Sequence, residues 1–191
     1  MVCVDLCGLR VVLDFTAPAL LALLTMLLPA QAVMQTLAAC LLHECAHLAA
    51  IVLTKQKPAV LHISAAGLRL ETAGTAVIPL RFFSVILCAG PLANLAAAAG
   101  LFAAGMQGAA AANLSLCLFN LLPYRSTDGG TLLYAWLEER LLPRAPAVPQ
   151  RVMRLLSVIT TLLLLLLMHA AELQNLSLLG MIAYMLLSEF L

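Results

Sequence analysis

From Gln31 to Leu53 the chain carries one ionised side chain, Glu44, which stands beside His43 and one turn from His47 in an otherwise almost wholly apolar run. In hydrocarbon every backbone N–H and C=O must be bonded within the segment, so a run of this kind is confined to a helix. A helix brings residues four apart onto one face. His43 and His47 can therefore offer two imidazole nitrogens to one metal ion, with Glu44 one position round to handle a metal-bound water. The plainer alternative is an amphipathic helix with two solvated histidines. The flanks Ala38-Ala39-Cys40-Leu41-Leu42 and Leu48-Ala49-Ala50-Ile51-Val52-Leu53 leave no polar face wide enough for it.

Composition extends the argument to the whole chain. Hydrophobic residues make up 64% and charged residues 10%, and the mean hydropathy is +1.07, far outside the range of soluble domains. The expectation is an all-α polytopic membrane protein, a single domain over residues 1–191, with room for about six spans of roughly twenty residues and no appended soluble domain. Met1 to Arg10 lacks the basic start and small-residue cleavage site of a secretory signal, so the first apolar stretch is expected to remain as a span. The formal charge of +1 gives no reason to expect a nucleic-acid partner. The six cysteines, at positions 3, 7, 40, 45, 88 and 117, read as small core residues rather than a disulfide framework.

The spans are expected at about Phe15 to Leu28, Gln31 to Leu53, Phe82 to Ala104 (interrupted by Gly90-Pro91), Ala109 through the break at Pro123 to Leu137, Leu155 to Met168, and Leu176 to Leu187. Lys55 to Leu80 differs in kind. Val60-Leu-His-Ile-Ser, Gly67-Leu-Arg-Leu-Glu-Thr and Gly74-Thr-Ala-Val-Ile are β-prone runs separated by glycines, which predicts a short hairpin or small sheet at the membrane edge between the second and third spans. With this threading Arg10, Lys55, Lys57, Arg69, Arg81, Arg140, Arg144, Arg151 and Arg154 fall on one side, which the positive-inside rule makes the cytoplasm. Both termini are then cytoplasmic. His47 lies about 9 Å along the axis from the inner end of the second span, at 1.5 Å per residue.

Two imidazoles leave a catalytic zinc site one protein ligand short. Asp128 fits best, in Phe119-Asn-Leu-Leu-Pro-Tyr-Arg-Ser-Thr-Asp-Gly-Gly130, where Pro123 breaks a helix and Gly129 and Gly130 loosen the backbone. A carboxylate at membrane depth is unfavourable unless paired or ligated. An ordinary interfacial turn remains the other reading, because Asp-Gly-Gly is common in turns. Glu138 and Glu139 are available as ligands but lie in a charged interfacial cluster. His62 reads as a surface residue of the strand region, His169 as interfacial, and Arg125 as snorkelling to the cytoplasmic boundary.

His43-Glu44-Cys45-Ala46-His47, together with Asn120-x-x-Pro123-x-x-x-x-Asp128-Gly129, resembles the site-2 protease family of intramembrane zinc metalloproteases. The compact form resembles the stage IV sporulation protein FB group. Ala89-Gly90-Pro91-Leu92-Ala93-Asn94 is similar to a third, weaker family element. The resemblance covers about residues 40–137 and thins over 150–191. It implies one Zn2+ per chain held by His43, His47 and Asp128, Glu44 as general base, and substrate contacts from Asn94, Asn120, Pro123 and Gly129. Tyr124-Arg125-Ser126-Thr127 departs from the prolines that relatives place before the aspartate, and no nucleotide-sensing domain is expected.

The reaction so implied is peptide-bond hydrolysis in a membrane-associated regulator or precursor near the cytoplasmic face of a bacterial cell or forespore membrane. A sporulation sigma-factor precursor is the substrate by analogy, and membrane inhibitory or regulatory proteins would be further partners. A metal-ion transporter would also use intramembrane His and Asp, but gives Glu44 no role. A catalytically silent scaffold with a structural zinc is the third reading.

Overall fold

A computed structural model of the chain describes residues 2–6, 9–13, 25–26, 28–55, 58–64, 67–72, 78–141, 145–172 and 176–190. Most of the segment expected as the first span lies outside these residues, as does most of the third β-prone run, 74–78. The described part is mostly helical. It divides into two compact units, Met1–Cys117 and Leu118–Leu191.

The first unit contains a four-stranded sheet of order β1-β2-β3-β4, formed by Val2–Leu6, Leu9–Leu13, Pro58–Ser64 and Gly67–Thr72. Strands β1 and β2 pair antiparallel with Leu6 opposite Leu9. Strands β2 and β3 pair parallel, Arg10 opposite Val60. A parallel pair needs a long crossover, and helix α1, Ala30–Leu53, lies within it. Strands β3 and β4 pair antiparallel with an irregularity between Pro58 and Val60, where proline supplies no ladder donor.

Helix α1 turns Val33, Ala39, His43, His47, Ala50 and Ile51 inward. Its neighbour α2, Leu80–Ala103, does the same with Ile86, Gly90, Pro91, Asn94 and Ala98. Ala50, Ile51 and Ile86 form an apolar cluster with Ala89 against it. Helix α2 is continuous through Gly90-Pro91, where sequence predicted an interruption. Proline removes one backbone donor, leaving the carbonyl of Leu87 without its helical partner, but packing against α1 holds the helix together across that gap. At its end Gly105, with φ +75°, donates to Phe102 O while Met106 donates to Leu101 O. This left-handed glycine cap stops α2 and allows α3, Gln107–Asn120, to start at once.

The second unit holds α4, Asp128–Leu141, α5, Val148–Ala170, and α6, Leu176–Ser188. Among the described residues three helices, α1, α2 and α5, are long and apolar enough to cross a membrane, whereas five of the six expected spans fall within those residues. The reason is length. The 14 residues of α3 and of α4 rise about 21 Å against a hydrocarbon core of about 30 Å, and the 13 residues of α6 fall shorter still. The all-α class also needs correction. The sheet is larger than the expected hairpin between the second and third spans, because Val2-Cys-Val-Asp-Leu and Leu9-Arg-Val-Val-Leu, which carry the β-branched pattern with a glycine between them, add two strands to it.

Candidate metal centre

Spacing of four on α1 places both histidines on its buried face, 4% and 7% exposed. Each ring nitrogen has an assignable role. His47 Nδ1 lies 2.7 Å from Ile86 O, and a carbonyl only accepts, so Nδ1 carries the proton. His43 Nδ1 lies 2.6 Å from Asn94 Oδ1. The Asn94 amide is oriented in turn by Nδ2, which donates to Ala39 O at 3.0 Å and Asn113 Oδ1 at 2.9 Å. Its Oδ1 therefore faces His43 as acceptor, and His43 Nδ1 carries the proton too.

With Nδ1 protonated on each ring, Nε2 is the atom able to ligate, and the two Nε2 atoms face one another at 3.0 Å. Facing lone pairs repel unless a cation lies between them. Two nitrogen ligands each about 2.0–2.1 Å from a tetrahedral ion stand about 3.3 Å apart, so the donor set fits a metal ion. The outward Nδ1–H bonds to a carbonyl and an amide are of the kind that fix ligand tautomers.

Gly90 keeps the approach to these nitrogens open. A Cβ there would overlap His47 Nε2 and lie 2.7 Å from His43 Nε2. Asn113, buried on α3, completes the hydrogen-bonded line from His43 through Asn94 and donates on to Ala109 O at 2.9 Å. Glu44 is half-buried and Cys45 exposed on the same helix.

In the second unit Asp128 opens α4, where the helix N-terminus favours a carboxylate's charged, ligating form. The preceding loop is tightly folded. Tyr124 N donates to Leu122 O at 2.9 Å across Pro123, a three-residue turn. Thr127 caps the helix, its hydroxyl accepting from Gly130 N at 3.2 Å and donating to Tyr124 O at 2.8 Å. A Cβ on Gly129 would lie 2.8 Å from Leu121 O, and one on Gly130 would overlap the Tyr124 backbone. The Gly-Gly pair thus permits close approach within a regular first turn, where sequence suggested a loosened backbone. Tyr124 is fully buried, and its hydroxyl bonds Thr161 at 2.8 Å. Arg125 stacks its guanidinium 4.0 Å over the Tyr134 ring.

Of the residues singled out from sequence, the structure brings His43, His47 and Asn94 together within the first unit. Asn120, Pro123, Asp128 and Gly129 belong to the second. His43 and His47 offer two ligand nitrogens within the first unit, and Asp128 a carboxylate within the second. Sequence reasoning missed three parts. Asn113 was legible as an amide in an apolar helix, Gly90 had a steric role that only a packed neighbour reveals, and the Ile86 carbonyl has no side-chain signature.

No protein-family model matches the chain, and no curated protein matches it. Its fold is similar to the solved structure of a site-2 protease from Methanocaldococcus jannaschii, with 19% identity, a TM-score of 0.62, and coverage of 99% of this chain and 90% of that one.

Proposed function

We propose that the chain is an intramembrane zinc metalloprotease of the site-2 type, in which His43, His47 and Asp128 hold one Zn2+ and Glu44 is the general base. The observation that carries this reading is the pair of Nε2 atoms 3.0 Å apart, held by outward Nδ1 bonds and aimed at one point beside a glycine in an apolar helix. The fold likeness and the three helices able to cross a membrane support it. So does the outward face of α5, where Leu155, Ile159, Leu162 and Leu166 are exposed, as suits lipid.

When bound, zinc would polarise the scissile carbonyl and lower the pKa of an attacking water. Glu44 takes that water's proton and returns it to the leaving amine. Asn94 and Ile86 O keep both imidazoles in the ligating tautomer. Gly90 leaves room for a substrate backbone, and β4, at one edge of the sheet, offers backbone groups with which an unwound segment can pair.

The substrate class is a membrane-associated regulator or precursor with its cut near the cytoplasmic face, a sporulation sigma-factor precursor being the case the resemblance favours. Co-expression with single-span precursors, comparing the parent with Glu44→Gln, tests the reading. Cleavage by the parent alone is expected, and equal processing by both would overturn it.

A further inference from the structure

Glu189, in the turn after α6, is 5% exposed. One carboxylate oxygen, Oε1, accepts the backbone N–H of Arg125. The other, Oε2, is buried with no hydrogen-bond partner. A carboxylate half satisfied in a buried place is unfavourable compared with an apolar side chain of similar volume, so packing alone does not account for this residue. Its one specific bond goes to the main chain of the loop that ends at Asp128. The turn itself is held by α5, since Arg154 Nε donates to Glu189 O at 3.3 Å and the Arg154 guanidinium lies 5.4 Å over the Phe190 ring.

We infer that Glu189 is a positioning residue, latching the Leu121–Thr127 loop through Arg125 N–H and so fixing where Asp128 is presented. The inference rests on the reading of Asp128 as a metal ligand. The latch reaches the aspartate through short steps. Arg125 O accepts from Thr131 Oγ1 at 2.9 Å in the first turn of α4, and Thr127, two residues on, caps that turn. A carboxylate is the stronger acceptor for this N–H, but the role needs only an oxygen in that place. Glutamine can supply one and alanine cannot.

The test uses the full chain in detergent or nanodiscs, parent against Glu189→Ala and Glu189→Gln, with two readouts: zinc affinity by chelator competition and amide hydrogen exchange over residues 122–128. For Glu189→Ala we expect faster exchange at Arg125 and its neighbours and zinc affinity lower by about 10–100-fold, the usual effect of removing a group that orients a ligand. Glu189→Gln should stay within about threefold of the parent, on the same scale. A purely structural role would lower thermal stability in Glu189→Ala while leaving zinc affinity and loop exchange of the folded protein unchanged, and that result overturns the inference. Equal losses in the Ala and Gln variants overturn it as well. If Glu189→Ala does not fold, Arg154→Met releases the same turn from α5, and unchanged exchange at Arg125 then counts against the latch. A parent chain that binds no zinc sinks the metal reading instead, while the exchange comparison still decides whether Glu189 holds the loop.

Discussion

Asn94 Oδ1 lies 2.6 Å from His43 Nδ1, with both hydrogens of the same amide committed to Ala39 O and Asn113 Oδ1. The asparagine therefore dictates which nitrogen of His43 is protonated, acting on the metal centre through an imidazole. The resemblance gives Asn94 to the substrate, whereas these bonds give it a duty toward a ligand.

Asn94→Ala is accordingly expected to weaken zinc binding by about 10–100-fold, as loss of a ligand-orienting partner does. It also leaves the Asn113 amide oxygen without its donor, lowering stability by about 1–3 kcal/mol. Chelator competition and thermal unfolding separate the two effects. Unchanged zinc affinity in a folded variant would show that His43 keeps its tautomer without help.

Gly90→Ala gives a sharper contrast. In a helix interior alanine is favoured over glycine by about 0.5–1 kcal/mol, so helix content should hold or rise. The new Cβ would nonetheless overlap the histidine Nε2 atoms, and zinc binding and cleavage are expected to be lost together. Parental zinc content measured by atomic absorption would refute the steric argument.

The candidate residues legible in the sequence are those whose logic is local. His43, Glu44 and His47 are set by helix periodicity alone, and Asp128 by being a carboxylate in an apolar stretch. What escaped depends on partners distant in sequence. Nothing local distinguishes Ile86 O from other carbonyls, and Gly90 becomes a steric requirement only once α1 packs on α2. The length of the shorter helices was hard to read for another reason. Apolar composition continues through α3 and α6, but helix length is set by breakers such as Pro123, and hydropathy does not register it. The β1–β2 hairpin was obscured because five-residue strands leave a weak signal beside strongly apolar neighbours.

Glu44→Gln should abolish cleavage while retaining about one zinc per chain, because a general base acts on water and leaves the ion's ligands in place. His43→Ala and His47→Ala should lose both. Measuring metal content alongside turnover distinguishes the roles, and loss of zinc from Glu44→Gln would make Glu44 a ligand.

Asp128→Asn replaces a charged oxygen donor with a neutral amide, a poorer ligand for a dication. The same change gives up the favourable interaction of a carboxylate with the N-terminus of α4, worth about 0.3–1 kcal/mol. Stability should therefore fall slightly and zinc affinity substantially. Glu138→Gln and Glu139→Gln are the controls. Glu138 accepts from the Tyr134 hydroxyl at 3.0 Å, a bond that glutamine preserves, and Glu139 is exposed, so both should bind zinc as the parent does. Titrating the three variants against one chelator puts them on a common scale. If Asp128→Asn matches the controls in affinity and turnover, the third ligand is not Asp128, and a loss confined to Glu138→Gln or Glu139→Gln would assign it to the far end of α4.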